Sequence, residues 1–254
     1  MANRPSGKTT PKGSGASTKG GSAARAAAVR EEQQRREKRR VLVMAGSVAA
    51  VVLALIVGAV LVVSNSGVDA DEVQAGSSDY GLTIGPEDAP TEIVVFEDFL
   101  CPACGAFESE TNTELAQAAA DGDVRVEYRP FVLLDGFEDY SSRAVNAFAV
   151  VLEESGPEVA KAFHDELYAD QPSESDTSFP DADWLVEKAV AAGAEEDAVR
   201  PGIEDMAQQD FVEQATSEAQ SAGVSSTPTV IVDGEVVGGQ TMDEVAQNTL
   251  DQIG

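Results

Sequence analysis

Two cysteines occur in 254 residues, and they stand together as Cys101-Pro102-Ala103-Cys104. Two thiols separated by two residues can close into a disulfide and reopen, which is the chemistry of thiol–disulfide exchange. The same spacing admits a structural disulfide. Closing a four-residue loop, however, removes little unfolded-chain entropy, roughly 2 kcal/mol on the chain-entropy model against about 3 for fifteen residues. Structural zinc is a third reading. It wants four Cys or His ligands, whereas the chain offers two cysteines and the single His164, so neither metal nor other cofactor is expected.

Pro102 suggests how the pair is held. Proline is favoured at the first position of a helix, where its missing N–H loses no hydrogen bond, so a helix opening at Pro102 makes Cys101 the N-cap. The Cys101 sulfur can then receive the N–H groups of Ala103 and Cys104 and the positive end of the helix dipole. Both favour the thiolate, which is the nucleophile. Cys101 is therefore expected to be exposed and acidic, and Cys104, one turn further on, shielded.

The elements around the pair follow from apolar patterning. Residues 82–84 read as a short strand, 85–90 as a turn and 92–97 as a strand whose Ile93-Val94-Val95-Phe96 run suits a buried position. Residues 101–120 read as a helix and 124–131 as another strand. An Ala- and Glu-rich stretch over about 137–222 predicts several helices, with breaks at Gly156-Pro157, 171–181, Gly193 and Pro201-Gly202. Residues 229–232 and 235–237 form a hairpin across Asp233-Gly234, and Thr241 caps a last helix reaching about residue 253. Trp184 reads as core of the helical block, His164 as a half-exposed boundary residue, and Glu195-Glu196-Asp197 as a solvated face.

The amino-terminal third is of another kind. Residues 1–40 are poor in large apolar side chains and carry eleven Lys or Arg against three Glu, so they read as a basic, largely disordered tail. Residues 41–63 hold no charge over 23 positions, about 35 Å of helix, enough to cross a hydrocarbon core of about 30 Å. An uncleaved anchor is favoured over a signal peptide because the apolar run is long and begins late. The positive-inside rule keeps the tail cytoplasmic and puts the rest outside. Residues 64–78 read as a polar linker and 79–254 as one domain. Beyond position 40 only six basic residues face 42 acidic ones, which argues against nucleic acid or anionic lipid as a partner of the folded part.

The run Phe96-Glu97-Asp98-Phe99-Leu100-Cys101-Pro102-Ala103-Cys104-Gly105, followed over 120 residues later by Ser226-Thr227-Pro228-Thr229-Val230, resembles the DsbA family of thiol–disulfide oxidoreductases, and most closely its membrane-anchored actinobacterial members. The resemblance implies an α/β thioredoxin fold with an inserted helical domain, here preceded by one transmembrane helix. It makes Cys101 the nucleophile, Cys104 its resolving partner and Pro228 a cis-proline. Pro102, Ala103 and Thr227 become active-site support, with the backbone of Thr227 pairing an extended substrate. It further implies a monomer that donates the Cys101–Cys104 disulfide to exported unfolded proteins with free cysteines. A membrane reoxidant resembling DsbB or the vitamin K epoxide reductases then restores it. A reductase or isomerase on the same fold, or a non-catalytic tethered adaptor, are the alternatives.

Two departures from the family pattern matter. Thioredoxin carries a buried acid six residues before its nucleophile, where this chain has Val95. Glu97 and Asp98 are the nearest acids, readable as a proton relay for Cys104 or as solvated residues at the strand end. Ala103 replaces the histidine of the best-known enterobacterial member, which removes a donor and potential cation from beside the thiolate.

Overall fold

The computed structural model describes residues 67–134, 136 and 139–253. The tail over 1–40, the anchor over 41–63 and the first residues of the linker lie outside these. No helix among the described residues is long and apolar enough to cross a membrane.

A five-stranded sheet carries the fold. Its strands are β1 (Leu82–Ile84), β2 (Thr91–Glu97), β3 (Val124–Pro130), β4 (Thr229–Val232) and β5 (Glu235–Val236), in the order β1-β3-β2-β4-β5. Only β2 and β3 run parallel, joined by the helix α1 (Pro102–Asp121); the other neighbours are antiparallel. β2 is central and buried on both faces, which is what its unbroken apolar run demands. The β4–β5 turn places Asp233 and Gly234 at φ 49° and 81°, the left-handed pair of a tight hairpin.

Each sheet face has its own cover. Ile93, Val95, Val126, Tyr128, Val230 and Val232 pack under α1 and the last helix, α7 (Met242–Leu250), whose Thr241 cap accepts from the Glu244 N–H. Val94, Phe96 and Ile231 pack under α6 (Gln209–Ser221). Between β3 and β4 stand five helices: α2 (Tyr140–Ser155), α3 (Pro157–Ala169), α4 (Ala182–Ala191), α5 (Glu196–Glu204) and α6. Their core of Phe148, Val151, Phe163, Leu167, Leu185 and Ile203 includes Phe99 and Leu100 from the segment just before the dithiol, so the helical block and the active-site turn share one apolar interior.

Two expectations need correction here. Pro201-Gly202 does not break a helix, because both residues lie inside α5. Proline at that point forfeits one hydrogen bond, to the carbonyl of exposed Asp197, while burial of Val199 and Ile203 against α2 holds the turn. A side chain at 202 would collide with Val150, so glycine is what lets α5 approach α2. The real break is Met206, at φ 53°.

The supposed linker is the second. Residues 67–78 are a strap laid on the sheet, with a 3₁₀ turn at Ala70–Glu72 and with Ala70, Val73 and Ala75 buried beside Val94 and Ile231. A buried ion pair anchors it. Arg129 Nη2 meets Glu127 Oε2 at 2.6 Å and also donates to the Gln74 carbonyl and Ser77 Oγ, while the Gly76 N–H donates to the same Glu127 oxygen. The strap meets this ion pair mostly with its backbone, the Gln74 carbonyl and the Gly76 N–H, and with one side chain, the Ser77 hydroxyl.

Burial of Val73 and two alanines is worth about 2–3 kcal/mol. A chain starting at Asp79 is accordingly expected to melt roughly 4–10 °C below one starting at Gly67. Equal melting temperatures by circular dichroism would show that the strap carries no stability.

Candidate active site

The chain turns from β2 into α1 through Asp98-Phe99-Leu100-Cys101, and that turn is held by a buried carboxylate. Asp98 Oδ1 accepts from the Leu100 N–H at 2.9 Å and from Ser141 Oγ at 2.7 Å; its Oδ2 accepts from the Leu133 and Leu134 N–H groups at 2.8 and 2.9 Å. The Cys101 N–H donates to the Asp98 carbonyl. From the loop after α3, Gln171 Nε2 donates to the carbonyls of Phe99 and Cys101 at 3.0 and 2.9 Å. Gly105 lets that side chain in, since a Cβ there would strike the Gln171 amide.

Cys101 caps α1 with Pro102 as its first residue, as the sequence implied. Both cysteines are free thiols, so the structure is the reduced form. The Thr227-Pro228 peptide is cis, and the Thr227 carbonyl accepts from Cys101 Sγ at 3.3 Å. This contact brings together two motifs 126 residues apart in sequence. Cys101 is less open than expected, 8 % exposed against 1 % for Cys104, because the Thr227 loop covers its sulfur.

The two sulfurs are electrostatically unequal. The Cys101 thiol is lowered to about 7, chiefly by a hydrogen bond from Cys104; burial opposes this, and Thr227 and the N–H groups of Cys104 and Ala103 assist. In the dithiol the Thr227 hydroxyl is buried without a partner, so a thiolate beside it gives that hydroxyl an acceptor. Cys104 goes the other way: burial raises its thiol well above the ordinary value, and its hydrogen bond to Cys101 and the charges of Cys101 and Glu97 add to this. The helix-terminus N–H groups that the sequence put first are therefore minor contributors.

The acids before the dithiol are not solvated strand-end residues. Glu97 and Asp98 are both fully buried. Asp98 has its oxygens filled by four donors and serves as the bracket of the turn, not as a free proton carrier. Glu97 points to the sheet face that Val95 also occupies, and its charge reaches Cys104. Its Oε1 lies 2.6 Å from Nε2 of His164, which corrects the placement of that histidine: His164 is wholly buried, among the rings of Phe99, Tyr128 and Tyr168. Burial pushes the imidazole down, but Glu97 and the contact with Asp165 outweigh it and leave it at about 9. Glu108 also lies here, on α1 one turn beyond Cys104, pushed up to about 8 by burial.

Residues 77–252 match a family model described as Thioredoxin. The reduced disulfide bond oxidoreductase DsbG of Mycobacterium tuberculosis is 30 % identical, covers 70 % of this chain and 89 % of its own, and superposes with a TM-score of 0.59. The chain belongs to the DsbA-like branch of the thioredoxin family. Oxidised DsbA of the same organism is 28 % identical, with 68 % of this chain and 92 % of that one covered and a TM-score of 0.57. A further relative is the serine/threonine-protein kinase PknE of M. tuberculosis, 31 % identical over 135 residues. That match takes in 51 % of this chain but 24 % of the kinase, so no kinase activity is carried over. A DsbA-like chain is a thiol–disulfide oxidoreductase by family, and the dithiol geometry above is what that chemistry uses.

Because the Cys101 thiol sits below its ordinary value of 9.0, the reduced fold gains stability that is complete above that value and is lost as pH falls through about 7. Two units correspond to at most about 3 kcal/mol. Alkylation of the reduced protein by iodoacetamide is expected to reach half its maximal rate near pH 7 at one cysteine, with Cys104 unmodified until the protein unfolds. Equal rates at both sulfurs would contradict the assignment.

Proposed function

We propose that this DsbA-like oxidoreductase works outside the cytoplasm as a membrane-anchored donor of the Cys101–Cys104 disulfide to newly exported proteins. The observation that carries this reading is the inequality of the two sulfurs. A low thiol value at Cys101 and a high one at Cys104 define which sulfur is left as thiolate when the disulfide has been spent, and a stabilised thiolate favours giving the disulfide away.

The steps balance as follows. A substrate thiolate attacks Cys101 Sγ, the Cys101–Cys104 bond breaks, and Cys104 leaves and takes up a proton. A second substrate thiolate then attacks the substrate sulfur of the mixed disulfide and releases Cys101 as thiolate. The substrate is oxidised by two electrons and the protein is left as the dithiol seen here. The Thr227 backbone is the proposed strand partner of an extended substrate. In the reduced form the Cys101 thiol occupies its carbonyl, so substrate competes with that 3.3 Å contact.

The location rests on the charge-free run over 41–63 and the basic tail before it. An oxidising space outside the membrane is where such a disulfide persists. Reoxidation requires a membrane partner able to accept two electrons from the dithiol, of the DsbB-like or vitamin K epoxide reductase-like kind.

In cells, thiol trapping of the full-length wild-type chain is expected to find Cys101 and Cys104 mostly oxidised, and Cys104→Ser is expected to accumulate mixed disulfides between Cys101 and exported proteins. A wild-type pair found mostly reduced would favour the reductase reading. Absence of any mixed disulfide would favour the adaptor.

A further inference from the structure

Behind the dithiol, three elements bring one chemically capable side chain each to the same buried place. Glu97 ends β2, Glu108 lies on α1 and His164 on α3, and one donor atom from each falls within 4.8 Å of the others. All three side chains are at most 3 % exposed.

Two independent features show that hydrogen bonding within the protein leaves this place incomplete. Both oxygens of Glu108 and Oε2 of Glu97 are buried without a donor, and so are the hydroxyls of Tyr128 and Tyr168, whose rings flank the imidazole. Buried carboxyl groups, ionised or protonated, are normally hydrogen-bonded, as Asp98 is, so an unpartnered one marks a place built for a further group. The second feature is the histidine's orientation. Nδ1 of His164 lies 3.1 Å from Asp165, a carboxylate that Lys161 also holds, so Nδ1 donates to it and Nε2 is turned towards the two glutamates. A carboxylate behind one imidazole nitrogen is the arrangement that fixes a metal-binding histidine.

We propose that Glu97, Glu108 and His164 form a binding site for one divalent first-row cation, of which Zn²⁺ is the best-matched probe. A neutral imidazole and two carboxylates cancel the charge of a dication in a place where uncompensated charge is expensive. The counting of Cys and His that excluded zinc from the sequence considered thiolate-rich structural sites, and carboxylate ligands escape it. Tetrahedral ligation at about 2.0–2.2 Å sets ligand atoms roughly 3.4 Å apart. Glu97 and His164, now at 2.6 Å, separate on binding, Glu108 draws in, and two protons leave for solvent, the one shared by Nε2 and Oε1 and the one held by the buried Glu108 carboxyl. The site stands apart from the disulfide-donor reading and survives its failure.

The test uses the full-length chain carrying C101S and C104S, so that no thiol can bind metal, stripped with a chelator and titrated with Zn²⁺ against a chromophoric competitor. One equivalent is expected to bind and to raise the melting temperature. Adding E108Q or H164Q is expected to weaken binding roughly hundredfold or more, since loss of an outer-shell partner already costs 10–100-fold. E108Q removes a group with no hydrogen bond and is the arbiter should H164Q fail to fold. Co²⁺ in the same chain is expected to give a visible absorption band that E108Q abolishes. Weak uptake at many sites, untouched by E108Q, would be the acidic surface and would overturn the proposal, as would the absence of stoichiometric binding.

Discussion

A buried carboxylate must place its charge on nearby donors, and the dithiol of this protein is built around that requirement. Asp98 draws the Leu100 N–H, two N–H groups of the loop after β3 and the Ser141 hydroxyl of α2 onto one side chain. Two segments distant in sequence, the loop after β3 and the start of α2, are thereby fixed against the turn that delivers Cys101. Gln171 closes the same turn from the far end of α3. The helical block is therefore more than a cover: without it the strand-to-helix turn would lose the Ser141 hydroxyl and the Gln171 amide that help to define its path.

From that fixed turn the difference between the sulfurs follows. Cys101 lies at the mouth of α1, where Cys104, Thr227 and two N–H groups can all stabilise a negative sulfur. Cys104 lies one turn inside, dry, and within reach of the Glu97 charge. Burial opposes ionisation at both sites, but only Cys101 has donors enough to overcome it. The acidic surface read from composition plays a lesser part, since the shifts arise from groups in the immediate shell.

The strands, the active-site helix, the hairpin and the position of the helical block were all legible, because each is written in local pattern: an unbroken apolar run, proline at a helix start, Asp-Gly between alternating residues. The pairing of Cys101 with Thr227 was legible only through the resemblance to a family, since nothing local links positions 126 apart. The strap was misread because its ties to the buried ion pair run mostly through backbone groups, the Gln74 carbonyl and the Gly76 N–H, which composition does not register. Glu108 and His164 were missed, although a signal existed. Glu108 falls on the stripe Cys104, Phe107, Thr111, Leu115, Ala119, and His164 on the stripe Ala160, Phe163, Leu167, so both stand on the buried faces of their helices. A charged residue on an apolar stripe is the mark of a buried polar site, and reading charge by composition hid it.

The central claim is that the reduced form is stabilised by the Cys101 thiolate, which makes the disulfide an oxidant. Equilibration of the purified protein against glutathione measures this directly. The account predicts a potential between the approximate −270 mV of thioredoxin and −120 mV of DsbA, nearer the latter, since the hydrogen bonds from Cys104 and Thr227 stabilise the Cys101 thiolate while Ala103 offers no imidazole. A potential at or below that of thioredoxin would contradict it.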